Sequence, residues 1–174
     1  MKKNIIAVFS VVLVVILLCF GLDIKSVDEY YLTHIDDIKP DSETVFLTIT
    51  CHTVLDNYNR LDKRLQNEKY VPKDGVILKN TEYVLRKGDT AFDLLNRAVR
   101  HNKIQMEYQG ADKDSYGSVY IEGINYLYEY SCGPLSGWIF KVNGEIPNVG
   151  CSDYSLKNKD KIEFAYSCNL GKDL

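Results

Sequence analysis

The sequence predicts an α+β protein: a mixed sheet packed on one main helix, preceded by a single N-terminal transmembrane or signal helix. Three observations carry this. An uncharged apolar run from Asn4 to Leu22 follows Lys2 and Lys3, a capped amphipathic segment opens at Asp89-Thr90, and alternating segments at Val45–Cys51 and Ile162–Cys168 bracket everything between.

The first run is closed by Asp23 and Lys25. At a rise of about 1.5 Å per residue its length nearly covers a hydrocarbon core of about 30 Å. The two lysines are expected to stay in the cytoplasm, with the chain after Asp23 translocated. An uncleaved anchor, a cleaved signal and a lipid-modified Cys19 are the three readings of residues 1–22. The apolar core is long for a cleavable signal, and Leu18 stands where a lipobox has a small residue. Residues 23–43 are polar and acidic, with Pro40 near their end and no sustained period, and read as a stalk. Residues 44–174 read as the folded domain.

Within that domain Val45, Leu47, Ile49 and Cys51 alternate with Phe46, Thr48 and Thr50, a strand expected to be covered on both faces. Leu55, Tyr58, Leu61 and Leu65 recur at helical spacing and predict a short surface helix. Val71-Pro72-Lys73-Asp74-Gly75 is a turn, and Val76–Leu78 and Thr81–Leu85 are short strands. The main helix starts at Asp89 or Thr90, with Asp93 placed to close a capping box. Its apolar stripe is Phe92, Leu94, Leu95, Ala98 and Val99, and it ends near His101 or Asn102. Ile104–Tyr108, Gly117–Ile121 and Tyr126–Tyr130 follow as strands. Trp138, Phe140 and Val142 then alternate ahead of Asn143-Gly144, a pair suited to a type I′ turn. A first and last strand around one helix is the β-grasp pattern.

Composition narrows the chemistry. The formal net charge of −3 becomes −5 once Lys2 and Lys3 are set aside, which argues against a nucleic-acid partner. Asp112–Gly123 begins like a calcium loop, but Tyr116 replaces an oxygen ligand and Gly123 stands where a bidentate Glu is needed. His34, His52 and His101 match no zinc spacing, so no metal site is expected. Ser136 lies outside any nucleophile elbow, and no phosphate-binding glycine loop is present. These absences predict a protein that is not an enzyme. Cys51, Cys132, Cys151 and Cys168 form an even set on the oxidising side of a membrane, open to three pairings or to free thiols.

Ser136-Gly137-Trp138, Val142-Asn143-Gly144, Pro147-Asn148-Val149-Gly150 and the closing Leu156–Phe164 carry a resemblance, as do Thr50–Asn57 and Val71–Val76. Over residues 45–174 the chain resembles the bacterial surface domain family related to the C-terminal β domain of transcobalamin, a domain of unknown function. The resemblance implies a β-grasp-like fold of the soluble ligand-binding type in secreted or anchored proteins. It makes cobalamin or another corrinoid the leading ligand candidate, with no other cofactor implied. In such a fold the first and last strands are parallel neighbours, which places Cys51 beside Cys168 and leaves Cys132 to bridge Cys151.

Two functions are then expected. One is an extracellular, non-enzymatic module for a small ligand, held on the membrane by its N-terminal segment or secreted. Its pocket would lie between the Trp138 hairpin and the Pro147 loop. Its candidate ligand-binding residues are Trp138, Tyr126, Tyr128, Asn143, Pro147 and Asn148, with Tyr126, Tyr128 and Tyr130 on one strand face. The bland reading makes these rings core or edge residues, Trp138 above all. The other function is a structural or adhesive surface domain that binds a protein or glycan through a flat aromatic surface.

Overall fold

A computed structural model describes residues 37–110 and 117–174. The predicted anchor at residues 1–22, most of the stalk and the start of the calcium-like loop lie outside the described residues. Among the described residues no helix is long and apolar enough to cross a membrane.

The domain is α+β with two sheets. The larger has strand order β2-β1-β7-β6, from β1 (Thr44–Thr50), β2 (Val76–Val84), β6 (Gly137–Val142) and β7 (Lys161–Ser167). The smaller runs β3-β4-β5, from β3 (Met106–Gln109), β4 (Tyr120–Ile124) and β5 (Leu127–Tyr128). The first and last strands are central and parallel, from Phe46 opposite Lys161 to Thr50 opposite Ala165. β2 and β6 flank them as antiparallel neighbours. Val45, Leu47 and Ile49 of β1 are buried with Ile162, Phe164 and Tyr166 of β7, and share one hydrophobic cluster with Leu94, Leu95, Ala98 and Val99. The opposite face of β1 is only partly covered, since Phe46 and Thr48 are half-buried.

The main helix, α2 (Ala91–His101), carries the predicted capping box. Thr90 accepts from the Asp93 backbone N–H, and the Asp93 carboxylate accepts from Thr90 N. The segment before it departs from expectation. In place of one helix through Leu55, Tyr58, Leu61 and Leu65 there is a five-residue α1 (His52–Asp56) and two 3₁₀ turns, Tyr58–Arg60 and Lys63–Leu65. The extended backbone of Leu61 breaks the run, and the Asp62 side chain caps the second turn. Leu61 and Val54 are buried there, whereas Leu55 and Tyr58 are exposed. The two short strands expected at residues 76–85 are one strand, whose pairing with β1 shifts register around Ile49.

Asn143 and Gly144 have φ of 53° and 90°, and Val142 and Glu145 exchange backbone hydrogen bonds of 2.8 and 3.0 Å across them. The turn is the one predicted, but no long return strand follows it. The chain leaves after Glu145 for a loop, and β6 pairs with β7 instead.

Candidate functional site

An apolar cleft of about 230 Å³ lies where the outer edge of β6 faces β4. Trp138, Ile139 and Phe140 supply one wall, Val119, Tyr120 and Ile121 another, Phe164 of β7 takes part in the lining, and Ile146, Gly150 and Cys151 close it from the loop. This is the region between the Trp138 strand and the Pro147 loop that the sequence singled out. No charged side chain lines it.

Each wall is held for a physical reason. Trp138 is buried, and its indole N–H donates to Leu127 O at 2.8 Å, so its one polar atom is satisfied. Its ring meets Tyr166 edge-on at 5.3 Å, and Phe140 stacks on Phe164 at 5.9 Å. The loop is fixed by the start of α2. A helix leaves its first N–H groups without internal partners, and here Ala91 N donates to Tyr154 O while Phe92 N donates to Cys151 O, at 3.0 and 2.9 Å. On its other side Ser152 Oγ accepts from Val119 N at 2.9 Å and lies 3.0 Å from Ser118 Oγ. Gly150 is packed so closely against Ser118 that a Cβ there would fall 1.6 Å from Ser118 Oγ.

The other polar side-chain groups in the cleft are engaged as well. The Tyr120 hydroxyl donates to Glu129 at 2.6 Å, a bond that pushes its pKa up to about 12. The Cys151 thiol donates to Val119 O at 3.6 Å, and burial raises it to about 11. The cleft is therefore suited to an apolar group and offers no nucleophile.

The sequence-predicted residues are not gathered in one place. Trp138 lines the cleft, while Pro147 is half-buried and Asn148 exposed in the loop that closes it. Asn143 is not in the cleft. Its amide donates to Asp160 and accepts from Lys161 N, both at 2.9 Å, so it serves its own turn. Tyr126 and Tyr130 do not share a strand face with Tyr128. Both have positive φ, and Asn125-Tyr126 forms the tight turn joining β4 to β5. Tyr126 packs edge-on against Tyr70 at 5.4 Å. The Tyr128 hydroxyl donates to Glu107 at 2.6 Å, away from the cleft. Sequence reading missed Tyr120, Ile139, Ile146 and Phe164, which become neighbours only through the β6–β7 pairing and the loop docking.

The cysteines also need correction. All four are buried free thiols, so neither Cys51–Cys168 nor Cys132–Cys151 is bonded. Cys151 faces Val119 in the cleft wall, whereas Cys132 donates to Asn57 O at 3.5 Å. Ser136 is a turn lock, accepting from Cys132 N and donating to Gly133 O. Among the described residues no group of three or more His, Cys, Asp or Glu side chains is arranged to hold a metal ion.

From Gly88 to Cys168, a span that includes α2 and every cleft residue, the chain matches the family model described as a domain of unknown function (DUF4430). Residues 88–168 match DUF4430. Strands β1 and β2, which precede the matched DUF4430 segment, complete the larger sheet. Among solved structures the chain is similar to haptocorrin in complex with Cbi, at 16% identity and a TM-score of 0.48, covering 78% of this chain and 27% of that one. The chain thus spans about a quarter of haptocorrin. A protein from Ruminococcus gnavus ATCC 29149, described as a candidate metal-binding protein, is similar at 12% identity and a TM-score of 0.44, over 72% of this chain and 96% of that one. No curated protein matches.

Proposed function

We propose that this is a non-enzymatic, β-grasp-like binding module, exported and either anchored by its N-terminal segment or secreted, that holds an apolar part of its ligand in the Trp138 cleft. The observation that carries the reading is the cleft itself, an uncharged recess at the edge of a sheet whose closing loop is docked at both ends. Cobalamin or another corrinoid is the leading small ligand, on the strength of the sequence resemblance.

Size sets how such a ligand would sit. Pockets that enclose a drug-sized molecule run from about 300 to 1,000 Å³, and this one is smaller. A corrinoid would insert one edge and leave the rest over the rim formed by Tyr120, Ile146 and Val149, all exposed. Burying one leucine-sized group contributes roughly 1.5–3 kcal/mol, less than the about 4.1 kcal/mol of even a millimolar complex. The rim must supply the remainder.

Trp138 is the only tryptophan, so its emission reports on the cleft directly. The test is titration of the protein with cyanocobalamin and cobinamide, followed by equilibrium dialysis and by Trp138 fluorescence. Saturable binding that is lost in Ile146→Lys supports the reading. Absence of binding, with no retention on a cobalamin resin, removes corrinoids as the ligand.

A protein partner is the second reading. β6 is an edge strand, and Leu135, Ile146 and Leu170 are exposed near it, so a partner strand could pair with the edge and place a side chain in the cleft. Corrinoid-independent protection of β6 amides from hydrogen exchange by a captured surface protein would favour it.

A further inference from the structure

We propose that Cys132 and Cys168 form a disulfide in the exported protein, a pairing different from both of those expected from the sequence. The two sulfurs lie against the same turn of α1. Thr53 and Asn57 are four residues apart and so share one side of that turn. Thr53 Oγ1 lies 3.5 Å from Cys168 Sγ, Asn57 O accepts from Cys132 Sγ at 3.5 Å, and the Asn57 amide donates to Thr53 O at 2.8 Å.

The backbones around the two cysteines are joined independently. Leu170 N donates to Leu135 O at 2.9 Å, and Ser136 Oγ accepts from Cys132 N while lying 3.0 Å from the Tyr166 hydroxyl. Cys132 and Cys168 are fully and almost fully buried. Burial first, and then the Cys168 thiol beside it, push Cys132 up to about 12. Cys151 has no place in this set, because its sulfur faces Val119 O. Cys51 is near enough for Cys168 to act on it electrostatically, but its largest influences are burial and Asp74.

In the folded domain both thiols are out of reach of a dissolved oxidant. The bond therefore forms while the chain folds. A Cys132 or Cys168 thiolate attacks a small-molecule disulfide such as oxidised glutathione, whose S–S bond breaks to release one thiol. The second thiolate then attacks the mixed disulfide and releases the other. Two protons and two electrons leave the protein, and the donor is reduced to two thiols. The product would pin the turn that leads directly into Trp138.

The inference builds on the export reading for its oxidant, but its test does not. The full-length chain in detergent is refolded in a glutathione redox buffer, alkylated without reduction and digested with trypsin. Each of the four cysteines falls on its own tryptic peptide. The expected product links the Cys132 and Cys168 peptides, with Cys51 and Cys151 alkylated. A Cys51–Cys168 link, a Cys132–Cys151 link, or four alkylated thiols overturns it. The oxidised protein should melt roughly 10 °C above the reduced one. That gap should persist in Cys51→Ser, and its loss there would also overturn the pairing. A failure of corrinoid binding leaves these readouts untouched.

Discussion

Gly150 shows how much of the cleft hangs on single atoms. Its missing side chain lets the loop close on Ser118, and an added Cβ would overlap both Ser118 Oγ and Ser118 Cβ, at 1.6 and 2.1 Å. Overpacking of this kind typically costs about 1–3 kcal/mol. Gly150→Ala should lower stability in urea by that amount and weaken whatever the cleft binds, and Ser118→Gly in the same chain should restore much of both. A Gly150→Ala protein within about 0.5 kcal/mol of the parent would mean that the loop is free to move away. The Pro147–Gly150 segment was legible in the sequence as a distinct feature. The need for glycine at its end was not, because Ser118 is a neighbour only in three dimensions. Trp138 was legible as both a core residue and a site residue, and it is both: buried, with its N–H satisfied, yet forming part of the cleft wall. The tyrosines misled because alternation cannot distinguish a strand from a turn when the turn residue is Tyr126 rather than a glycine.

Among the elements, α2 was the best read from sequence, since its cap and apolar stripe are local signals that its neighbours reinforce. What the sequence did not announce is how the helix is clipped to the sheet. Arg97 reaches Asp89 at 2.9 Å and Val84 O at 3.0 Å, and Asp89 also accepts from Arg86 N. Both side chains of the ion pair are 9% exposed. Removing one partner of a buried pair strands the other charge and costs about 3–5 kcal/mol, whereas replacing both with apolar groups is often close to neutral. Arg97 Nε already lacks a partner, so Arg97 has little to fall back on. Asp89→Ala should therefore be strongly destabilising, and the double variant Asp89→Leu/Arg97→Met should recover most of the loss in chemical denaturation. If the double variant is as unstable as the single, the clip is holding the chain through geometry and not through charge balance. The segment from His52 to Leu65 was misread for the opposite reason. Its helical spacing is real, but only Leu61 of the four apolar positions is buried, and a stripe without a surface to cover cannot hold a helix together.

At the scale of the whole molecule, the buried protons of the core give the domain a stability that depends on alkaline pH. Burial raises Cys51 from 9.0 to about 12, Cys151 from 9.0 to about 11 and Tyr166 from 10.0 to about 12. In the folded state these groups keep their protons above the pH at which the unfolded chain loses them. The unfolded state then binds fewer protons, and stability falls as pH rises. Their contribution is complete below about pH 9, begins to fall as the unfolded thiols ionise, and is lost as pH passes through the folded values. Each group contributes a slope of up to about 1.4 kcal/mol per pH unit in its window. Cys132 and Cys168, once joined, have no proton to lose and drop out of this account. The oxidised protein should accordingly keep a flat urea midpoint up to about pH 8 and lose stability steeply between about pH 9 and 11. The reduced protein should fall more steeply still over the same interval, because Cys132, raised to about 12, rejoins the titration. Replacing Cys51 and Cys151 with alanine should shallow both curves equally, and identical slopes with and without that change would show that the alkaline limit lies elsewhere.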